Sequence, residues 1–358
     1  MPLTIGIPGE HRPFEYRVGM TPVGVAALCA DGNTCYVEQG AGLGSGFPDH
    51  EYEQAGARIL YNTDEVFRRA DLILKVQRPT EEEVSWMAEH QTLMSFLMLA
   101  TTRENRVRTL EEKGITAIAY ELIQDDDGSL PVMYPSSQIG GRMCAQIAAH
   151  YLQNNTGGKG ILLGGISCVP SAEVVIVGAG VVGTTAAQAF LGMGARVILL
   201  DRDQRKLHAA NDRFGSQLTT MVSYDFNLAR VCRFADVLVG AVQVHGHRAP
   251  IVITREMVRS MRPGSLIIDM SIDQGGCVET SRPMAHDHPT FIEEGVTHFC
   301  VFNVPGVVGR TATHALLAAA WPFILEVVGK GVDRAIDENP VLRRGVAIRA
   351  GALLQSLP

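Results

Sequence analysis

The chain has 358 residues, more than one ordinary core sustains and about what two domains need. Hydrophobic residues make up 46% and charged residues 19%, the balance of a soluble globular protein. A net charge of −7, with basic residues scattered apart from short groups such as Arg343-Arg344, argues against nucleic acid and anionic membrane as partners.

The first residues, Met1 to Pro8, read as a short strand rather than a signal peptide. No apolar run approaches the about 20 residues that span a bilayer. The cysteines at 29, 35, 144, 168, 232, 277 and 300 show no C-x-x-C pair and no metal-ligand spacing. They read as reduced, mostly buried thiols of a cytoplasmic protein. Apolar periodicity predicts strands at 3–7, 34–38, 57–60, 71–76, 91–96 and 115–120. It predicts helices near 21–31, 49–56, 63–69, 80–88 and 103–113. Gln124 to Gly128 is an acidic turn, read as a solvated loop because a cation site would need more oxygen ligands around it.

A helix at about 138–153 leads into a Gly-rich stretch, 157–165. Then comes the most informative segment. Val174 to Val177 are four β-branched residues and read as a buried strand. Gly178, Gly180 and Gly183 form G-x-G-x-x-G directly after it, and an apolar, Ala-rich helix runs on to about Met193. Arg196 to Asp201 reads as a second strand ending in an acid. In such a unit the first Gly permits the tight turn, the second lets backbone approach a pyrophosphate, and the third lets helix and strand pack closely. The helix N-terminus, with Val181 and Val182, supplies N–H groups and partial positive charge to that pyrophosphate. Asp201 sits where an acid bonds the ribose hydroxyls and repels a 2′-phosphate, which favours NAD over NADP. Arg202 and Arg205, just beyond, leave the strictness of that preference open. A glycine-rich turn without a ligand is the bland alternative, and it leaves the spaced acid unexplained.

Further strands fit 197–201, 235–242, 265–270 and 297–302, and Thr311 to Val328 reads as a helix interrupted by Pro322. The alternation indicates an α/β fold with two Rossmann-like domains. A doubly wound parallel sheet, the dinucleotide domain at 129–306, is inserted into a discontinuous substrate domain made of 1–128 and 307–358. The active site is expected in the cleft between them.

Several stretches together resemble one family. They are Gly6-Ile-Pro-Gly-Glu10 with Glu15-Tyr-Arg17-Val18, Thr21-Pro-Val-Gly-Val25, Gly40-Ala-Gly-Leu-Gly-Ser45 and Asp71-Leu-Ile-Leu-Lys-Val76. Ile118-Ala-Tyr-Glu121, Ile176-Val-Gly-Ala-Gly180, Ile272-Asp-Gln-Gly-Gly-Cys277 and Asp287-His-Pro-Thr-Phe291 complete the set. Over nearly the whole chain they look like the alanine dehydrogenase family, which shares its fold with the alpha subunit of proton-translocating nicotinamide nucleotide transhydrogenase. Ile272 to Cys277, followed by Ser281-Arg-Pro, resembles the dehydrogenase branch more closely.

The resemblance implies hydride transfer between NAD and the α-carbon of a small amino acid, in a homohexamer built through the dinucleotide domains. Arg17 matches the family's carboxylate-holding Arg, and Asp273 its supporting Asp. Asn303 falls in the loop near the nicotinamide. Ser137 matches a segment at the cofactor cleft, as a diphosphate contact or else a helix N-cap. Gly240 and Val242 line the dinucleotide crevice through their backbone.

Two positions depart. The family reads Leu-Lys-Val-Lys-x-Pro, with the second Lys binding and polarising the substrate; here Gln77 stands in that slot. Lys75 matches the first Lys, two residues and roughly 6–7 Å away on the same side of a strand, and reaching into the slot from there is an alternative left open. The family reads Phe-Leu-His-Leu-Ala, and Met98 replaces its acid/base His. A positioned acid/base contributes ~10²–10⁴ in rate, and Met has no proton to give. Gln brings no charge, and a neutral bond in place of a charge-assisted one loses ~1–2 kcal/mol.

Other groups compete for the missing roles. His314 and Arg310 open the long helix and are candidates to reach the substrate; a surface or core place is the alternative. His245 and His247 follow the strand 235–242, where they could touch ribose or nicotinamide or be solvated. They form a His-x-His pair with no third ligand nearby, so no metal is expected. The reading is an NAD-dependent oxidoreductase acting on an amino, imino or 2-oxo acid larger or less polar than alanine or pyruvate. The rivals are an NAD-binding paralogue without turnover and a transhydrogenase-like transfer between two nicotinamides.

Overall fold

The computed structural model describes residues 2–99, 102, 104–244 and 247–354. It divides into two compact units, residues 1–136 with 305–358, and residues 137–304. The first unit carries β1 Thr4–Ile7, β2 Thr34–Glu38, β3 Arg58–Leu60, β4 Leu72–Leu74, β5 Thr92–Ser95 and β6 Thr116–Ala119. The second carries β7 Glu173–Val177, β8 Arg196–Asp201, β9 Leu218–Val222, β10 Val237–Gly240, β11 Leu266–Asp269, β12 Thr290–Glu293 and β13 Val296–Phe299. The chain returns to the first unit with β14 Val346–Arg349 and β15 Ala352–Leu353.

The first sheet runs β15-β14-β6-β5-β4-β1-β2-β3 and the second β12-β13-β11-β10-β7-β8-β9. Pairings among β1 to β6 are parallel, as are those joining β13, β11, β10, β7, β8 and β9. Antiparallel β12 edges the second sheet, and antiparallel β14 and β15 edge the first. In each unit the opening strand lies centrally beside the fourth, so the strand order reverses at β1/β4 and at β7/β10. Ligands of such sheets bind at the carboxyl ends of the strands at that reversal. Central strands such as β4, β6 and β10 are buried along their whole length, because helices cover both faces of a parallel sheet.

The structure corrects several sequence expectations. The strand expected over 71–76 stops at Leu74. The reason is local: the N–H groups of Val76 and Gln77 leave the ladder and donate to the Glu10 carboxylate at 2.7 and 3.3 Å. Strands β9, β12, β14 and β15 were not anticipated; they are short, and three lie in edge positions with weak alternation. Pro322 does not interrupt its helix, which runs from Gly309 to Lys330. A proline deletes one backbone hydrogen bond. Here the helix is held regardless by a buried face of Ala312, Leu316, Ala320, Ile324 and Val327. Contrary to the sequence reading, this helix is long and apolar enough by length and composition to cross a membrane. Leu316, Ala320, Ile324 and Val327 instead pack into the first unit's core.

Candidate active site and dinucleotide crevice

In the first unit, the loop after β1 and the loop after β4 meet at the strand-order reversal. Gly19 makes this approach possible, since a Cβ there would lie 2.1 Å from the Leu74 carbonyl oxygen. Arg17, only 3% exposed, is thereby brought to the end of β4. Its Nε and Nη2 donate to the two Glu15 oxygens at 2.7 and 2.5 Å, and its own backbone N–H donates to Glu15 at 3.0 Å. Gln77 joins the pair from the other loop, its Nε2 donating to Glu15 Oε2 at 3.1 Å. Burial pushes the Glu15 carboxyl up, but the charge and hydrogen bonds of Arg17, with Gln77, outweigh it and leave the group below its ordinary value. A cavity of about 220 Å³ adjoins this cluster, lined by Glu10, Glu15, Arg17 and Glu38 among others.

Lys75 does not enter the slot beside Gln77. It is 1% exposed and its Nζ sits 3.2 Å from Glu10 and 3.0 Å from Glu83. It also donates to the Gly9 carbonyl at 3.3 Å. Burial pulls the ammonium down, yet Glu10 and Glu83 more than restore it, so it stays charged and committed to them. Met98 is half-buried and packs against the unit's apolar core. Its backbone is left-handed, at φ 50°. That turn aims the N–H groups of Leu97 and Met98 at the Glu121 carboxylate, whose pKa burial raises. Thr102 Oγ1 closes the loop on the carbonyls of Leu97 and Met98.

Arg310 and His314 both attend to Phe47. Arg310 Nη1 donates to the carbonyls of Ser45 and Gly46 at 3.1 Å, with its guanidinium 4.9 Å from the Phe47 ring centre. His314 meets the same ring edge-on at 5.5 Å. His247 is exposed. His245 lies outside the described residues.

The second unit builds the crevice at β7/β10. Gly178 turns the chain at φ 110°, and a Cβ on Gly183 would lie 1.8 Å from the Gly178 carbonyl oxygen. A Cβ on Gly180 would meet nothing within 4 Å. That space lies before the helix Val181–Gly192, whose N-cap Gly180 provides no side-chain bond to the N–H groups of the first turn at Val181, Val182 and Gly183. Open room in front of a helix N-terminus fits a pyrophosphate. Asp201, buried at the end of β8, accepts from the Ala179 N–H at 2.7 Å and the Asp203 N–H at 2.8 Å. It holds the glycine turn while its remaining lone pairs fit ribose hydroxyls. Arg205 is forked onto Asp203 at 3.0 and 3.2 Å, so its charge is matched locally; Arg202 is exposed.

Ser137 lies inside the helix Tyr134–Tyr151, so the capping alternative fails. Four residues on, a Cβ on Gly141 would lie 2.5 Å from the Val182 carbonyl oxygen, which puts this helix face against the first turn after the glycine motif. Gly240 ends β10. Val242 is pinned by Ser271, whose hydroxyl both accepts from its N–H at 3.0 Å and donates to its carbonyl at 2.8 Å. Asp273 and Asn303, far apart in sequence, are joined: the Asn303 N–H donates to the Asp273 carboxylate at 3.2 Å, with Asn303 at φ 54°.

Sequence reasoning passed over three features of these clusters. Glu15 is the counter-charge of Arg17, Glu10 and Glu83 sequester Lys75, and Ser271 locks Val242. His286, also unweighed, contacts the backbone of Asn303 and Phe302; burial lowers its pKa against those bonds. The Glu15-x-Arg17 spacing was the one readable signal.

Family comparison covers nearly the whole chain. Residues 6–140 match the model described as alanine dehydrogenase/PNT, N-terminal domain, and residues 144–356 its C-terminal domain. Alanine dehydrogenase of Methanococcus maripaludis is 47% identical over 345 residues, 96% of this chain and 92% of that one. The Bacillus subtilis alanine dehydrogenase is 43% identical over 96% of this chain and 90% of its own. A solved L-alanine dehydrogenase superposes with TM-score 0.93 at 39% identity, covering 98% and 97% of the two chains. The transhydrogenase from Sinorhizobium meliloti gives 0.83 at 25% identity, covering 98% and 100%.

Proposed function

The chain belongs to the alanine dehydrogenase/PNT family and is an NAD-dependent oxidoreductase, and from that premise we propose that it acts on an amino, imino or 2-oxo acid larger or less polar than alanine or pyruvate and is not efficient on those two. The observation that carries this reading is the Gln77 amide on Glu15. With Lys in that place, the cluster of Glu15, Arg17 and residue 77 would be net cationic. With Gln77 it is neutral, so it draws a small carboxylate less strongly. The Nε and Nη2 edge of Arg17 is spent on Glu15, and a substrate carboxylate has to meet the guanidinium elsewhere or displace Glu15.

When bound, NAD supplies or accepts the hydride. The chain's own residues set what surrounds that transfer. Arg17 holds the acid group, Asp273 with Asn303 shapes the nicotinamide end, and Ser137, Gly240 and Val242 line the crevice. Met98 contributes apolar surface where a proton shuttle would stand, which suits a preformed imine or a larger side chain. The dehydrogenase names of the relatives support the chemistry class; the residue choices at 77 and 98 support the shift in substrate. Likeness to a transhydrogenase favours one second reading, hydride passage between nicotinamides, which needs no acid/base group. The same family reading carries a cytoplasmic homo-oligomer, a hexamer by resemblance, which light scattering of the purified protein measures.

The test is NADH and NADPH oxidation at 340 nm, with ammonia, across 2-oxo acids from pyruvate to large branched and aromatic ones. Consumption with a larger acid and little with pyruvate is the expected result. Brisk consumption with pyruvate overturns the reading. NADH binding with no turnover on any acid, but reduction of a second nicotinamide, favours the transhydrogenase-like reaction.

A further inference from the structure

An exposed aromatic pair stands at the crevice's outer edge. Asp201 and Val222 face each other across β8 and β9, and the Ser223 N–H carries the ladder one step further onto the Asp201 carbonyl at 3.1 Å. The chain leaving β9 therefore emerges beside Asp201. Tyr224 and Phe226 follow at once, 54% and 70% exposed, with ring centroids 5.6 Å apart and planes 22° from parallel. Their place is fixed by hydrogen bonds. The Tyr224 N–H donates to the Val222 carbonyl at 2.9 Å, and the Asn227 side chain donates to the same carbonyl at 2.8 Å. Tyr224 is also the N-cap of the helix Asp225–Cys232, so its backbone cannot drift without unwinding that helix.

Two large rings held in water are costly unless something covers them. The order of groups along the crevice says what does. The open space before Gly180 fits the pyrophosphate, and Asp201 fits the adenosine ribose; the adenine base is the next group outward. The residues just after β7 and β8, Gly178 to Gly180 and Arg202 to Asp203, carry no ring. Those after β9 carry two. We propose that Tyr224 and Phe226 form a stacking shelf for the adenine ring of NAD, so that much of the cofactor's affinity resides in its adenosine half. The rings are near parallel and largely exposed, as a stacking surface requires, and Asp225 between them adds no positive charge that would recruit a 2′-phosphate.

Titration calorimetry with ADP-ribose, NADH and nicotinamide mononucleotide tests this on the full chain. Tyr224→Ala should weaken ADP-ribose and NADH about ten-fold or more, leave the mononucleotide unchanged, and be rescued by Tyr224→Phe. Tyr224→Trp places an indole on the shelf, and ADP-ribose should quench its fluorescence. The chain's other tryptophans, Trp86 and Trp321, lie in the other unit. ADP-ribose affinity within two-fold of wild type in Tyr224→Ala, or no quenching in Tyr224→Trp, overturns the shelf. If Tyr224→Ala instead changes the oligomeric state at unchanged affinity, the rings belong to a contact between copies. Failure of the wild type to bind NADH at all would strike the cofactor assignment rather than the shelf.

Discussion

Gln77 Nε2 donates to Glu15 Oε2 at 3.1 Å, and the same carboxylate clamps Arg17 through two of its nitrogens. One acid thus serves a cation and a neutral amide, and the cluster's charge sums to zero. Restoring a cation at position 77 and an imidazole at 98 tests whether these two positions govern the substrate. Met98 already sits at φ 50°, a region His tolerates better than most residues, so the exchange strains nothing new. The double variant Gln77→Lys, Met98→His should raise alanine-dependent NAD reduction by ~10² or more. Absence of any gain would show that other positions also set the specificity.

The Glu15–Arg17 pair is buried, so breaking it from one side leaves a charge without a match. Glu15→Gln should cost about 3–5 kcal/mol. The pH response has a definite sign. The folded Glu15 pKa lies below the ordinary glutamate value of 4.5, so its contribution is complete above that value and fades as pH falls through the lowered one. Thermal melts of wild type and Glu15→Gln should converge as the buffer is taken below pH 4.5. A constant gap down to strong acid would refute the linkage.

Lys75 gives the opposite sign. Its folded pKa lies above 10.5, so the stability it contributes is complete below 10.5 and is lost as pH rises through the higher value. Lys75→Met, which strands Glu10 and Glu83, should lower stability at neutral pH by about 3–5 kcal/mol. Its deficit relative to wild type should shrink in alkaline melts. If Lys75 instead reaches substrate, Lys75→Met would alter KM without this loss.

Two glycines of one motif should behave differently. Gly183→Ala drives a methyl into the Gly178 carbonyl and should fold poorly. Gly180→Ala meets only open space, so its melting temperature should match wild type while NADH affinity falls ten-fold or more. Equal NADH affinity in Gly180→Ala would remove the pyrophosphate from that space.

Asp201→Asn keeps the size and removes the charge. One of the Ala179 and Asp203 N–H groups then loses its acceptor, so NADH should bind more weakly. The NADPH-to-NADH affinity ratio should rise about ten-fold, the effect of ~1.4 kcal/mol of lost repulsion. An unchanged ratio would place discrimination elsewhere, with Arg202 the first residue to examine.

Much of this molecule was legible before any fold was known. The β-branched run 174–177, the spacing of Gly178, Gly180 and Gly183, and the acid at 201 depend on local backbone geometry, and local patterns write themselves into consecutive residues. The same holds for the alternating strands and helices, and for the two departures at Gln77 and Met98, which are visible against a motif of fixed spacing. What sequence order alone left undecided was where charges find their partners. Lys75 belongs to Glu10 and Glu83, Glu15 to Arg17 and Gln77, and Asn303 to Asp273. Such pairings depend on which loops the sheet order brings together, and burial then forces each charge to take the nearest match. The continuity of the helix through Pro322 was likewise a tertiary outcome, because packing of its buried face outweighs one missing backbone bond.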